Sequence, residues 1–475
     1  MNTFLLLCLV GVSAAFDCSS DGMFVDPDDC AMFHRCVGGR DYPGRCPAGT
    51  LFNQPKGVCD WPHNVDCDVK PTTPAPTTKP GPTTTPGPTT TPGPTTPYVP
   101  PTPGNYKRVC YFVNWAVYRD EPGKFVPEDL DASLCTHVIY AFSVLDEKTH
   151  TLKIFDEDVD VKQKFFERVT VLRKDGVKVL IAIGGWTDSK GDKYSKMVTD
   201  PAKRANFVSH VTNFIKEHNF DGLDLDWEYP KCWQANCYAG PRTDKANFVK
   251  LTQELKAAFK PHGYLLSAAV GASKWTIAEA YDIKALGQSL DFINLMTYDL
   301  HGIWDRKTGH HSQLKGHKTD SHNFLNSDWA MQHWAKNGAP KNKLIMGIPL
   351  YGRSFTLGNK ANTGLNSGCW QAGTKGPITG EAGFLAYYEI CMAQKEGGWT
   401  VVKDPTGAMG PYAYKGDQWV GYDDPDIIAL KTDYIKSEGF GGAMVWDITM
   451  DDFKNKCGKG TWPLMRAIAK GLAKE

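Results

Sequence analysis

The 475-residue chain has no net charge, because 53 Lys and Arg balance 53 Asp and Glu. With no excess of either sign there is no bulk attraction to nucleic acid or to an anionic membrane surface, and a neutral polymer or a small neutral ligand fits better. No stretch reaches the about 18 uninterrupted apolar residues that a membrane-crossing helix needs. There is no Asn-x-Ser/Thr sequon, so N-linked glycan is not expected. Within residues 18–67 no C-x2-C or His pairing has the spacing of a zinc site, and Gly184-Gly185 reads as a tight strand-end turn rather than a phosphate cradle. No metal or cofactor is therefore expected.

What is present points to several modules, since 475 residues with 41% hydrophobic content exceed one ordinary domain. The apolar run at residues 4–12, followed by Ser13-Ala14-Ala15, has the form of a secretory signal with its cut after Ala15. Thirteen cysteines remain beyond Cys8, which suits an oxidising compartment. The expectation is a secreted, extracellular, monomeric protein. Six of these cysteines crowd into residues 18–67 with spacing C-x11-C-x5-C-x9-C-x12-C-x7-C, in a segment too small to hold itself together without disulfides. Six cysteines allow fifteen connectivities. Phe24, Phe33, Tyr42, Phe52 and Trp61 are more aromatics than so small a core can bury, so some should face a ligand.

The organisation expected is a signal at 1–15, a disulfide-rich module at 16–69, a linker at 70–104 and a larger domain at 105–475. The linker is almost wholly Pro, Thr and Gly, with a repeated T-T-T-P-G-P unit that favours extended polyproline conformation. Beyond it, apolar runs at 108–114, 137–143, 178–183, 222–228, 264–270, 292–298, 344–349 and 442–447 alternate with amphipathic stretches such as 203–218 and 245–259. Eight such runs predict a parallel (β/α)8 TIM barrel. The gap between the last two is too long for one helix and predicts a small inserted α+β subdomain at about 352–422.

The fourth run is the informative one. In Asp221-Gly-Leu-Asp-Leu-Asp-Trp-Glu228, carboxylates stand at alternate positions 224, 226 and 228, so on a strand they share one face while Leu223, Leu225 and Trp227 share the other. Close like charges raise the pKa of at least one member and keep an acid protonated at neutral pH, ready to donate. The bland alternative is the solvated face of an edge strand. The Trp before Glu228 and the Tyr-Pro after it instead mark a strand ending abruptly in a loop, at the barrel end that carries chemistry.

With these residues assembled, the region from about Lys107 to Ala473 resembles family 18 glycoside hydrolases, the secreted animal chitinases in particular. The matching motifs are Tyr111-Phe-Val-Asn-Trp115, Ala182-Ile-Gly-Gly-Trp186, D-G-L-D-L-D-W-E, Met296-Thr-Tyr-Asp299, Gly347-Ile-Pro-Leu-Tyr-Gly-Arg353 and Gly441-Gly-Ala-Met-Val-Trp446, in chain order. The cysteine-rich head resembles a peritrophin-A type chitin-binding module. The resemblance implies the pairs Cys18–Cys36, Cys30–Cys67, Cys46–Cys59, Cys110–Cys135, Cys232–Cys237 and Cys391–Cys457. Cys369 is then left over, as a free thiol or an intermolecular link.

The resemblance further implies hydrolysis of chitin or chito-oligosaccharides by a substrate-assisted route, with Glu228 as general acid and base. Asp226 would hold the acetamido N–H, Asp224 would share its proton, and Tyr298 would reach the acetamido oxygen. Trp446 would lie under the reacting sugar, with Trp115, Trp186 and Trp304 along the cleft. Tyr111, Gly185, Met296, Asp299, Tyr351 and Arg353 are the remaining implied contacts, and Asp221 reads as structural at the strand entry. The rival readings are a chitinase-like lectin, or a structural protein of chitinous matrix.

Overall fold

The computed structural model describes residues 16–20, 22–27, 29–37, 39–46, 51–56, 58–60, 65, 105–320 and 322–473. The expected signal and linker lie outside the described residues. Contacts divide the chain into two compact units, Met1–Pro97 and Tyr98–Glu475.

In the larger unit eight parallel strands close on themselves: β1 (Lys107–Val113), β2 (His137–Leu145), β3 (Lys178–Gly184), β4 (Gly222–Asp226), β5 (Leu265–Gly271), β6 (Phe292–Met296), β7 (Leu344–Pro349) and β8 (Gly442–Trp446). Each pairs with the next and β8 returns to β1, so no edge is left open. The strands are nearly continuous apolar runs because helices cover the outside and side chains fill the inside. Val179 to Ile183 of β3, for example, are all fully buried.

The outer helices carry their own start signals. Helix Pro201–Glu217 has proline at its first position and is capped by Asp200, whose side chain accepts from the Ala202 and Lys203 N–H groups. Its Phe207, Val211, Phe214 and Ile215 are buried on one stripe.

Seven of the eight strands end one or two residues from the sequence expectation, only β7 ending as expected, and the shifts at β4 and β6 move site residues. β4 stops at Asp226 rather than 228 and β6 at Met296 rather than 298, so Glu228, Tyr298 and Asp299 stand in the loops just beyond the strands. At β4 the cause is visible: the Glu228 N–H donates to Ser189 Oγ at 2.8 Å instead of continuing the ladder. β8 stops one residue early because Asp447 caps the turn Ile448–Met450. β2 runs on past the barrel to pair antiparallel with a short strand, Leu152–Ile154, that the sequence reading did not include.

After β7 the chain enters the inserted α+β subdomain. Its six antiparallel strands run from Tyr351–Leu357 to Gln418–Gly421, with helix Tyr387–Lys395 between them. A fully buried ion pair ties this subdomain to the barrel. Lys431 Nζ, on helix Pro425–Glu438, donates to Asp423 Oδ2 at 2.5 Å, to Ser312 Oγ at 2.8 Å and to the Ser312 carbonyl at 2.6 Å. Ser312 Oγ in turn donates to the Thr297 carbonyl beside Tyr298. Lys431→Met would leave Asp423 without its cation and should destabilise the protein by about 3–5 kcal/mol in urea unfolding, whereas Lys431→Met with Asp423→Leu should recover most of that loss. Equal losses in the single and double variants would mean the pair does not carry its own desolvation.

Three disulfides brace the larger unit: Cys110–Cys135, Cys232–Cys237 in the loop after β4, and Cys391–Cys457. Cys369 is a fully buried free thiol, so it has no exposed sulfur with which to form an intermolecular link.

The N-terminal unit has a three-stranded antiparallel sheet, Gly22–Val25, Met32–Val37 and Arg40–Arg45, and a two-stranded one, Leu51–Asn53 with Val58–Asp60. Cys18–Cys36 and Cys46–Cys59 bond as the resemblance implied. Cys30 is also in a disulfide, and its implied partner Cys67 lies outside the described residues. Phe52 is buried while Phe24 and Phe33 remain partly exposed; Trp61 and the Tyr42 side chain are outside the described residues.

Candidate active site

The acids of β4 point into the barrel while Leu223, Leu225 and Trp227 pack outward beneath the helices, so both faces of the strand are buried. The solvated edge-strand reading is therefore excluded. Asp224 sits deepest and is held from three strands: Tyr111 on β1 donates to Oδ2 at 2.7 Å, Ser267 on β5 to Oδ1 at 2.5 Å, and Asn294 on β6 to Oδ1 at 3.3 Å. Burial nevertheless wins over these hydrogen bonds and pushes its carboxyl up to about 6.

Asp226, one step toward the mouth, is buried and its Oδ1 has no hydrogen-bond partner among the described residues. Burial, then Glu228 and Asp224 beside it, hold its carboxyl well above the usual range. Glu228, half-buried just past the strand end, is pushed up to about 8, chiefly by burial and also by the charge of Asp299. Glu228 and Asp226 titrate together, so at neutral pH the pair keeps a proton.

Across the mouth, Asp299 follows β6 with a left-handed backbone (φ 55°). Its carboxylate accepts from Tyr351 Oη at 2.7 Å and from Arg353 through Nε at 2.7 Å and Nη2 at 2.6 Å, a two-pronged clamp from the first strand of the insertion. Burial opposes its charge, but the Arg353 guanidinium holds it well below the usual carboxylate range. His311 is buried and held below its ordinary value by burial. Its Nδ1 accepts from the Asp299 N–H and its Nε2 donates to the Tyr351 carbonyl, so the neutral ring bridges β6 to the insertion. The site thus combines an acid kept protonated with an acid kept charged.

The other residues named from sequence fall around this centre. Tyr298 is buried with its hydroxyl 3.8 Å from Met444 Sδ, and Met296 is partly buried against the core. Tyr111 and Tyr351 are fully buried, their hydroxyls committed to Asp224 and Asp299. Trp446, at the end of β8, lies edge-on to Tyr111 at 5.3 Å and near Trp115 at 6.4 Å. Trp186 and Trp304 stand out at 50% and 57% exposure, with the Arg353 guanidinium 5.7 Å from the Trp304 ring. Gly185 makes the predicted turn: its φ is +84°, its N–H donates to the Asp226 carbonyl at 2.8 Å, and a Cβ there would lie 2.8 Å from the Phe142 ring. Asp221 accepts from Val179 N–H and Arg173 Nε at the strand entry, as a structural residue would.

Sequence reasoning passed over Ser267, Asn294, Phe142, Ser189 and His311. Ser267 and Asn294 had a signal, being polar residues inside the apolar strands LLSAAVG and FINLM. Phe142, which stacks on Trp446 at 5.8 Å, looks like any core aromatic, and Ser189 and His311 are loop residues without pattern. Among the described residues, the two places where three Cys and Asp side chains converge, at Cys18, Cys36 and Asp41 and at Cys391, Asp452 and Cys457, both use disulfide sulfurs, which are not free thiolates for a metal.

Comparison with known proteins agrees with this geometry. Residues 107–451 match the model for "Glycosyl hydrolases family 18" and residues 18–67 that for the "Chitin binding Peritrophin-A domain". A Drosophila melanogaster protein named probable chitinase 10 is 45% identical over 95% of this chain, which spans 20% of that relative's length. The structure of Ostrinia furnacalis Group II chitinase catalytic domain 2 superposes with a TM-score of 0.77 at 47% identity, covering 78% of this chain and 96% of that one. Human YKL-39, described as a pseudo-chitinase with retained chitooligosaccharide binding, superposes with a TM-score of 0.71 at 37% identity over 77% of this chain and 99% of its own. By its barrel, its motifs and these matches, the chain belongs to glycosyl hydrolases family 18 and carries a peritrophin-A chitin-binding domain ahead of the barrel.

Proposed function

We propose that the protein is a secreted endo-chitinase, cutting β-1,4 links between N-acetylglucosamine units with retention of configuration. Glu228 gives its proton to the bridging oxygen as the 2-acetamido oxygen of the same sugar attacks C1, so the C1–O bond breaks while a cyclic oxazolinium forms. Asp226 accepts the acetamido N–H and offsets the positive charge, with Asp224 sharing its proton from behind. Tyr298 steadies the acetamido oxygen and Trp446 the sugar ring. Glu228, now a carboxylate, takes a proton from water as that water attacks C1, which restores the acid and frees the β-anomer.

The observation that carries this reading is the clustering of the acids on one strand, with a protonated Glu228 beside an Asp226 oxygen that has no donor among the described residues. Among the described residues the carboxylate across the mouth, Asp299, is clamped by Arg353 and so is not free to act as an ordinary retaining nucleophile. The lectin reading would leave this acid without a task. Proton NMR of the first product decides the mechanism: β-anomer first, and no cleavage between two deacetylated sugars, is the expected result. An initial α-anomer would exclude it.

The head and linker suggest tethering, in which a bound module raises the local substrate concentration. A chain starting near Tyr106 should therefore keep its rate on soluble oligomers and lose activity mainly on insoluble chitin. Equal losses on both would show that the modules depend on each other.

A further inference from the structure

β5 ends at Gly271, and the chain soon enters the short helix Lys274–Ala280. Thr276, Ile277 and Ala280 of that helix are buried, while Trp275 is 55% exposed. Packing of the helix therefore does not account for the indole. The helix is fixed to the loop after Glu228 by Lys231, which pairs with Glu279, and to the helix Asp244–Phe259 beyond that loop by Lys245 Nζ, which donates to the Ala278 carbonyl at 2.8 Å; at the end of β5 a Cβ on Gly271 would lie 3.2 Å from the Tyr229 ring. Trp275 thus stands just past the mouth end of β5, on a helix tied to the loop that follows Glu228, while Trp446 ends β8 on the far side of the barrel.

Its orientation is also set. Phe324, from the loop after β6, meets the indole edge to face at 4.9 Å and 86°. Phe324 is itself stacked on His322 at 5.0 Å and lies 5.8 Å from Trp329, with Lys274 Nζ 5.3 Å from its centroid. A large indole held at a right angle to an aromatic neighbour and more than half open to water is an apolar platform of the kind that accepts the C–H face of a pyranose ring. Trp186 and Trp304 are exposed on the loops after β3 and β6, on either side of β4 and β5, so the platform continues the same aromatic rim.

Resting on the chitin-hydrolysis reading, we propose that Trp275, braced by Phe324, is an outer subsite for the leaving-group side of a long N-acetylglucosamine chain, beyond the sugars next to Glu228. The occupant is the polymer rather than a protein partner, because the platform's helix is fixed to the loop of the residue that would protonate the leaving sugar and the platform carries on from the exposed tryptophans of the mouth.

The test compares Trp275→Ala and Phe324→Ala on a trimer and an octamer of N-acetylglucosamine. The expected result is a fall in kcat/KM of about tenfold on the octamer for Trp275→Ala, less than twofold on the trimer, a smaller octamer-selective loss for Phe324→Ala, and near-wild-type values for Trp275→Phe. Mass spectrometry of early octamer digests should show fewer cuts that leave long reducing-end fragments. Equal losses on both substrates, or none on either, would overturn the proposal. Calorimetric binding of the octamer to Glu228→Gln, with and without Trp275→Ala, reads the platform even if the wild-type enzyme proved inactive: a roughly tenfold weakening supports it, and unchanged affinity rejects it.

Discussion

Glu228→Gln should lower hydrolysis of chito-oligosaccharides by about 10²–10⁴-fold or more while leaving their binding within a few-fold, because the amide keeps shape and polarity and loses only the transferable proton. The same substitution should make the protein more stable at alkaline pH. The native Glu228 carboxyl titrates at about 8, well above its value in the unfolded chain, so between those two values the folded state binds more protons than the unfolded one. Stability then falls as pH rises through that interval, and a group that cannot ionise escapes the penalty. Gln at 228 should raise the unfolding free energy by about 1–3 kcal/mol at pH 8 and by little near pH 4. Retention of more than about a tenth of wild-type turnover would remove Glu228 from the role of acid.

Asp226→Ala should cost a comparable factor, about 10²–10³ in kcat, since it removes both the acceptor for the acetamido N–H and the charge that balances the oxazolinium. Its pH profile distinguishes this from simple misfolding. The last proton of a coupled acid pair is lost at a raised pH because the partner already carries charge. With Asp226 gone, the alkaline limb of the residual kcat/KM should move to lower pH. A limb that stayed in place, with the rate still lost, would show that Asp226 acts only on the substrate and not on the proton held at Glu228.

Much of this site was legible because of period and exception. Eight apolar runs alternating with helical stretches have one economical solution in a closed parallel barrel, and the boundaries of the apolar runs followed from hydrophobicity alone. The carboxylates of β4 were conspicuous because charge is out of place in such a run, and their alternate spacing already put them on one face. The aromatic motifs at strand ends could be placed on the mouth for the same reason, since a strand's last residues must face it. Two of the deviations came where a side chain outside the strand ended it, as Ser189 does at Glu228 and Asp447 does after Trp446.

The residues that tune the acids were a different matter. Asp224 is held by Tyr111 and Asn294, 113 and 70 positions away in sequence, and Asp299 by Arg353 at 54. Nothing local in the chain announces such partners. The sequence by itself determined the barrel, the acid strand and the polar residues available to it, because these depend on periodicity and on residue type. Only the tertiary structure decided which acid stays protonated and which stays charged, because pKa depends on burial and on neighbours brought together by closure of the sheet: Asp226 and Glu228 are enclosed with one another, whereas Asp299 is enclosed with a guanidinium.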